Sequence, residues 1–194
     1  TDQGIDSSYI HLLTKLYDNQ TAAVKTDYTS RRFNIERGVK QGDPLSSLLF
    51  NCVSESLMRR LKTTWQCKRH GLKLQPHATE RLTNLRFADD ILLISTSLPS
   101  LSNMIADLCS EANKIGLQLH PDKTKILHNA HCTAKRRHIP NYTTINNLTV
   151  EILPTHSSTK YLGRKLTFCD THRREVENRI TYAWKKVFTF KRKN

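Results

Sequence analysis

The chain has 194 residues, with 31 lysines and arginines against 17 acidic residues, and a formal net charge of +14. Its length allows one domain with a substantial core, and its charge favours a polyanionic partner such as nucleic acid. No apolar run is long enough for a membrane span, and no targeting signal is visible. The five cysteines are scattered and include no C-x-x-C pair, which predicts reduced thiols in an intracellular protein, nuclear or cytoplasmic.

The N-terminal part of the chain predicts a helix followed by a hairpin. Apolar residues recur at helical spacing across residues 5–17. Two short apolar runs, 22–24 and 33–35, flank a polar turn and predict a second element made of paired strands. The Arg31 and Arg32 side chains in this hairpin are either solvated surface or contacts to a backbone phosphate.

A glycine-containing turn leads into a second predicted helix. Residues 37–46 read RGVKQGDPLS, where Asp43 as N-cap and Pro44 at the first helical position favour a helix start. Apolar residues continue at helical spacing as far as Leu61, and residues 65–80 are predicted to be a loop or a short strand pair. The glycines before the helix would let a nucleotide approach the backbone, although such turns also occur without a ligand.

The most informative stretch is residues 82–95, LTNLRFADDILLIS. Two apolar runs, 85–88 and 91–94, are separated only by Asp89 and Asp90, which predicts a hairpin with both aspartates in its turn. Adjacent carboxylates held between apolar strands repel each other and lose solvation unless a cation compensates, and hard oxygen ligands suit Mg²⁺. On this stretch alone, a solvated turn in a β-protein remains the alternative.

The second half of the chain alternates helical and extended patterns. The patterns predict a helix at residues 98–115, a strand at 117–119 and a lysine-containing turn at 120–125. They then predict strands at 148–153 and 161–168 and a last helix from residue 171 onward. Ser97 or Ser100 can cap the first of these helices and Gly116 can end it. Residues 160–194 contain 11 basic and 3 acidic residues, which suits either a solvated helix face or a nucleic-acid duplex.

Residues 128–147 are predicted to form a surface connection between these elements. The connection contains four side chains of metal-binding type, His128, His131, Cys132 and His138. Their spacing matches no zinc pattern, so we do not expect a metal site there.

Several motifs, taken in chain order, resemble the reverse transcriptase of non-LTR retrotransposons. They are Gln41–Ser46 with residues 48–51, Phe87–Asp90, Gly116–Leu117 with residues 123–125, and Tyr161–Gly163. The resemblance covers nearly the whole chain and implies an α+β fold: a right-hand polymerase palm, with an antiparallel sheet packed on helices, leading into the start of a thumb. Its implied domains are the later palm (1–127), the surface connection (128–147), and a primer-grip-like hairpin with the start of a basic helical thumb (148–194).

The resemblance also implies roles for individual residues in a polymerase that uses Mg²⁺, with Mn²⁺ as a substitute. Asp89 would bind metal directly, Asp90 would complete or support that site, and Lys123 would assist the departing pyrophosphate. The nucleotide- and template-binding residues would be Gln41, Gly42 and Phe87, and the primer-holding residues would be Tyr161, Leu162 and Gly163. The implied partners are an RNA template, a DNA primer or target and deoxynucleoside triphosphates, without a membrane.

The sequence departs from the family pattern at three points. Ser47 stands where a proline is usual, and His120 stands where asparagine is frequent. The third catalytic carboxylate of the family has no candidate here, because Asp2 and Asp6 lie in no strand context. Since the chain begins with Thr1 rather than Met, we expect a fragment whose first carboxylate lies upstream and which is inactive alone.

Two other hypotheses remain open from the sequence. One is a catalytically idle, nucleic-acid-binding relic of a mobile element, against which the intact motifs argue. The other is an intron maturase-type relative whose main activity is RNA binding, and which would need its own RNA-binding domain after the thumb. An unrelated basic α+β domain is the alternative to all three.

Overall fold

The structure, a computed structural model, describes residues 4–36, 38–39, 42–129 and 139–191. The chain divides into two compact units, Thr1–Asn51 and Cys52–Asn194. Across the described ranges, no helix has both the length and the apolar character needed to cross a membrane.

The first unit contains a helix, a hairpin and the start of a second helix. Helix α1 (Ser7–Tyr17) has the predicted position, and the Asp6 carboxylate caps it by accepting the Ser8 backbone N–H at 2.8 Å. Strands β1 (Thr21–Ala22) and β2 (Phe33–Asn34) pair antiparallel, which confirms the predicted hairpin.

Helix α2 (Pro44–Cys67) begins at the predicted residue. The Asp43 carboxylate accepts the Leu45 backbone N–H at 3.0 Å, as an N-cap does. The helix continues past its predicted end, so the assignment of Trp65 to a loop was wrong. Trp65 is completely buried, and its indole N–H donates to the Asp107 carboxylate at 3.2 Å, so tertiary packing extends the helix through a polar stretch.

Helix α3 (Leu98–Lys114) confirms the predicted helix and both of its ends. The Ser97 hydroxyl accepts the Ser100 backbone N–H at 3.3 Å. At the other end, Leu117 N–H donates to the Ala112 carbonyl at 3.0 Å and Gly116 N–H donates to the Asn113 carbonyl at 3.1 Å, the two bonds of a Schellman cap.

This helix cap explains why the strand predicted at residues 117–119 was wrong. The Leu117 N–H completes the end of α3 instead of pairing with a neighbouring strand, and residues 117–120 are irregular. The predicted lysine-containing turn follows as a short 3₁₀ helix, Pro121–Lys123.

The described part of the second unit contains three small sheets. Strand β3 (Asn84–Phe87) pairs antiparallel with β4 (Asp90–Leu93), and β8 (Thr159–Tyr161) pairs antiparallel with β9 (Arg164–Leu166). The other sheet has the order β5–β7–β6, formed by Lys125–Ile126, Leu148–Ile152 and Tyr142–Ile145. In it β5 and β7 run parallel, whereas β6 and β7 run antiparallel.

Strand β6 lies within the span predicted to be a surface connection. It joins β7 through a two-residue turn at Asn146 and Asn147, whose φ angles of 48° and 64° suit asparagine. Of the four side chains of metal-binding type in this span, only His128 belongs to the described residues. Helix α4 (Thr171–Lys191) then forms the predicted C-terminal helix.

Two buried clusters make up the core of the second unit. The first joins α2 to α3 through Leu57, Met58, Leu61, Trp65, Met104, Leu108 and Ala112. The second joins α3 to the three-stranded sheet through Ile105, Ile126, Ile145, Val150 and Ile152. Leu93 of β4 packs against both clusters, which ties the β3–β4 hairpin to the whole core. Together these helices and small sheets agree with the predicted α+β class.

A buried histidine next to α2 predicts a loss of stability in acid. The His70 ring shares a hydrogen bond with the Ser100 hydroxyl, and its buried Nε2 has no hydrogen-bond partner among the described residues. Burial first, and the Lys68 charge second, lower the His70 pKa below its usual value. The unfolded chain therefore binds a proton more readily, and the free energy of unfolding should fall as pH drops below about 6.5.

This prediction is checked by urea unfolding at pH 7.5 and 5.5. His70→Asn should show a smaller fall in the free energy of unfolding between these pH values than the unsubstituted chain. His77→Asn, at an exposed position, should show the unsubstituted fall. An equal fall in the free energy of unfolding for the unsubstituted chain and for His70→Asn would contradict the assignment of the acid sensitivity to His70.

Candidate active site

The Asp89–Asp90 pair lies at the tip of the β3–β4 hairpin. Phe87 pairs with Asp90, so the turn consists of Ala88 and Asp89, and Asp90 is the first residue of β4. The predicted turn at Asp89–Asp90 was thus displaced by one residue. Pairing of Phe87 with Asp90 continues the register in which Arg86 faces Ile91, so the strand extends to the second aspartate.

The backbone at Ala88 has a φ of 52°, which is uncommon for a residue with a Cβ atom. Such a conformation costs on the order of 1–3 kcal/mol and occurs preferentially at functional sites. Here it sets the direction in which the chain leaves β3 and delivers Asp89 to the tip of the hairpin. A positive φ at the first position is also what two-residue hairpin turns use, so this geometry accounts for how the turn presents Asp89.

Both carboxylates are exposed, in contrast to the expectation that apolar strands enclose them. The apolar side chains lie further along the hairpin, where Ile91 and Leu93 pack against the core. Neither carboxylate forms a side-chain hydrogen bond or an ion pair with any residue that the structure describes. Two adjacent, unpaired oxygen ligands fit a hard divalent cation such as Mg²⁺. The described residues contain no group of three or more His, Cys, Asp or Glu side chains placed to bind a metal ion.

The β8–β9 hairpin brings one predicted primer-holding residue close to Asp90. Burial first, and the negative charge of the Asp90 carboxylate second, raise the pKa of the Tyr161 phenol. Leu162 and Gly163 form the turn of this hairpin with φ angles of 50° and 75°, which matches the left-handed geometry of a tight hairpin turn. The structure therefore brings together two predicted site segments that lie about 70 residues apart in sequence.

Phe87 presents an exposed ring at the same tip, with 65% of its surface accessible. Next to it, Arg86 forms an ion pair with Glu55 of α2 at 2.8 Å, and Glu55 also pairs with Arg59 at 2.8 Å. Arg59 first and Arg86 second hold the Glu55 pKa below its usual value. Sequence reasoning missed Glu55, because nothing local indicates that α2 would anchor β3.

Lys123 is exposed at the end of the 3₁₀ helix, which packs against β7. It forms no ion pair with any described residue, whereas nearby Lys125 pairs with Glu151. The Thr124 hydroxyl donates to the His120 carbonyl at 2.8 Å and fixes the turn, although asparagine is frequent in the family at that position. A lysine ammonium group in this setting is available to an anionic ligand.

The predicted nucleotide-binding turn before α2 belongs to the first unit. Gly42 has a φ of +90°, a conformation that favours glycine, and it is exposed. Gln41 lies outside the described residues. Ser47, which replaces the usual proline, is accommodated because its hydroxyl donates to the Pro44 carbonyl at 2.9 Å.

Comparison with known proteins gives a consistent family assignment. The family described as reverse transcriptase (RNA-dependent DNA polymerase) matches residues 1–166. A retrovirus-related Pol polyprotein from type-1 retrotransposable element R2 of Popillia japonica is 31% identical over 173 residues, which is 88% of this chain and 26% of that protein.

Two further relatives carry R2 names. The type-1 element R2 Pol polyprotein of Nasonia vitripennis is 35% identical over 91 residues, covering 47% of this chain and 8% of that protein. The type-2 element R2DM Pol polyprotein of Drosophila melanogaster is 30% identical over 122 residues, covering 62% of this chain and 11% of that protein. The chain thus spans about a quarter or less of the length of each of these relatives.

Proposed function

Because the chain belongs to the reverse transcriptase (RNA-dependent DNA polymerase) family, we propose that it is part of an enzyme that extends a primer on an RNA template during non-LTR retrotransposition. The reaction would be nucleotidyl transfer from a deoxynucleoside triphosphate to a primer hydroxyl. The R2 names of its relatives and the net charge of +14 support both the element type and the nucleic-acid partners.

The observation that carries this proposal is the exposed, unpaired carboxylate pair on the strained β3–β4 turn. Asp89 would hold a divalent metal ion and Asp90 would complete or support the same site. Bound there, Mg²⁺ or Mn²⁺ would supply charge neutralisation at the attacking and leaving oxygens. In this family the metal set takes a third carboxylate, so we propose that the 194 residues alone do not support synthesis.

The other predicted residues have roles that suit their chemistry. Lys123 would donate a proton or a positive charge to the departing pyrophosphate. Phe87 would pack beside the primer end with its exposed ring. Gln41 and Gly42 would lie against the nucleotide and the template.

The β8–β9 hairpin would hold the primer through Tyr161, Leu162 and Gly163. Its support is the influence of Asp90 on the Tyr161 pKa, since a primer end must lie beside the carboxylates that act on it. Because an ordinary tyrosine is already protonated at neutral pH, the Tyr161 hydroxyl would donate a hydrogen bond to a phosphate oxygen.

Primer extension tests the proposal. A complete protein that contains these residues is expected to extend a DNA primer annealed to an RNA template when Mg²⁺ is present. Chelation with EDTA should abolish extension, and added Mg²⁺ should restore it. Extension that persists in EDTA would contradict a metal-dependent mechanism, and no extension with any divalent cation would favour a catalytically idle relic.

A further inference from the structure

The β3–β4 hairpin that carries Asp89 and Asp90 forms a two-stranded sheet by itself in the described part of the chain. An isolated two-stranded hairpin is only marginally stable, so the position of its tip depends on the side chains that attach it to other elements. Strand β4 is attached through Ile91 and Leu93, which pack against the core. Strand β3, which leads into the carboxylate turn, is held by its pairing with β4 and by one further contact.

Arg86 provides that contact. Its Nη2 donates to Glu55 Oε2 on helix α2 at 2.8 Å, across 31 residues of sequence. Leu85 and Phe87, on either side of it, are exposed. Among the residues that the structure describes, no other side chain of β3 forms a hydrogen bond or an ion pair with another helix or strand. The link between β3 and α2 therefore lies three residues before Asp89.

The link to α2 lies on the face of the hairpin opposite Asp90. Residues that face each other across an antiparallel pair project to the same side of the sheet, and successive pairs alternate between the two sides. Arg86 faces Ile91, which packs against the core, whereas the next pair is formed by Phe87 and Asp90. Arg86 thus supports the hairpin from its core side and does not compete with a cation for the Asp90 carboxylate.

Glu55 binds two guanidinium groups, one with each carboxylate oxygen. Oε2 accepts Arg86, and Oε1 accepts the Arg59 Nε at 2.8 Å. Arg59 belongs to α2 itself, one turn beyond Glu55, so of the two bonds only that of Arg86 joins the helix to the hairpin. The Glu55 and Arg86 side chains are 36% and 31% exposed, and a partly buried ion pair is screened less by salt than an exposed one. Glu55 is therefore able to hold β3 at a fixed place on α2.

We propose that Glu55 is a positioning residue for the metal site, and that through Arg86 it fixes the direction in which the hairpin presents Asp89 and Asp90. The inference rests on the metal binding in the proposed function and adds a residue that lies outside the motifs of the family resemblance. Groups that orient metal ligands from outside the coordination shell typically contribute about ten-fold or more to metal affinity, because the ligands must be held to within roughly half an ångström. Loss of the Glu55–Arg86 bond should therefore weaken metal binding while the fold is retained.

Titration with Mn²⁺ tests this role in a complete protein that contains these residues. Electron paramagnetic resonance measures the free ion, so the Kd is obtained without any DNA synthesis. Asp89→Asn identifies the relevant site, because it should weaken one class of bound Mn²⁺ by at least about ten-fold. If Asp89→Asn leaves all Mn²⁺ binding unchanged, the metal site of the proposed function is wrong and the positioning role fails with it.

Glu55→Gln and Arg86→Gln should each raise the Kd of this site by about ten-fold. The double variant should also raise it by about ten-fold rather than about a hundred-fold, because either single substitution already breaks the same bond. The sign of the Arg86→Gln effect separates positioning from long-range electrostatics, since removal of a positive charge alone would strengthen cation binding. Arg86→Lys should raise the Kd by less than about three-fold, because an ammonium group can replace the single Nη2–Oε2 bond.

Arg59→Gln is the matched control. It removes the same charge and a bond of the same 2.8 Å length to Glu55, but not the link to the hairpin, and it should change the Kd by less than about two-fold. A variant that only loses its fold would bind fewer Mn²⁺ ions per chain, whereas a displaced hairpin raises the Kd at an unchanged number of sites.

Three results would overturn the positioning role while leaving the metal site intact. They are equal effects of Arg59→Gln and Arg86→Gln, a tighter Mn²⁺ affinity in Arg86→Gln, and additive effects in the double variant. Should Arg86→Gln not fold, the comparison of Glu55→Gln with Arg59→Gln decides, and equal Kd values in these two variants would overturn the role.

Discussion

Replacement of Asp89 by asparagine in a complete protein is expected to reduce DNA synthesis by at least about a thousand-fold. Asparagine keeps the shape of the side chain but removes the negative charge that holds a divalent cation. Loss of several kcal/mol of transition-state stabilisation has this effect, since each ~1.36 kcal/mol changes a rate ten-fold. Nucleic-acid affinity should change less than two-fold, because Asp89 lies at the hairpin tip and pairs with none of the described cations.

Primer extension measures the first quantity and fluorescence anisotropy the second. Asp122→Asn is the matched control, since Asp122 has a side chain that is 92% exposed and stands next to Lys123. It should retain synthesis to within a few-fold. Retained synthesis in Asp89→Asn would remove this residue from the metal site, and a large loss of nucleic-acid affinity would assign it to binding instead.

Trp65→Ala is expected to lower the free energy of unfolding by about 3–5 kcal/mol. Trp65 is completely buried in the cluster that joins α2 to α3, and its indole N–H donates to Asp107. The substitution leaves a large cavity and also removes the partner of a carboxylate that Lys68 contacts at 3.1 Å. Trp65→Phe should lower the free energy of unfolding by less, because the phenylalanine ring keeps most of the apolar volume.

Urea unfolding followed by far-UV circular dichroism checks this prediction. The chain contains two tryptophans, and the other, Trp184 of α4, is 58% exposed. Trp184→Ala should therefore change the free energy of unfolding by no more than about 0.5 kcal/mol. Equal losses in Trp65→Ala and Trp184→Ala would contradict the assignment of Trp65 to the core.

Local signals in the sequence predicted the start of α2 and both ends of α3. The capping residues Asp43, Ser97 and Gly116 act on backbone groups a few residues away, so their effect can be predicted from a short window. Helical periodicity, which is also local, predicted α1, α3 and α4. The two-residue turn at Asn146–Asn147 was an available signal of the same kind that was missed, although the tyrosine, threonines and isoleucine of β6 favour a strand.

Tertiary effects account for the errors. The polar run before Trp65 concealed the last turns of α2, because only packing against α3 reveals that this tryptophan is buried. A strand was predicted at residues 117–119 from two leucines whose backbone instead follows the helix cap.

The candidate site also has a part that local sequence predicts and a part that depends on tertiary contacts. The aspartate pair could be located from sequence, since its motif is contiguous. The surroundings of the aspartate pair could not be predicted, because the Arg86–Glu55 ion pair and the influence of Asp90 on Tyr161 depend on elements distant in sequence. The roles of Asp89, Asp90, Lys123 and the primer-holding residues stay predictions until the variants are measured.

Leu93 packs against both core clusters and stands three residues after Asp90 in the same strand. Mutations that accumulate in either cluster therefore reach the carboxylate hairpin through Leu93, and those in the first cluster also reach it through Ile91. A copy of the gene under relaxed selection could keep both aspartates intact and still lose the geometry that they require. Survival of the Phe87–Asp90 motif in a related sequence would then be weaker evidence of an active element than survival of the apolar positions around Leu93.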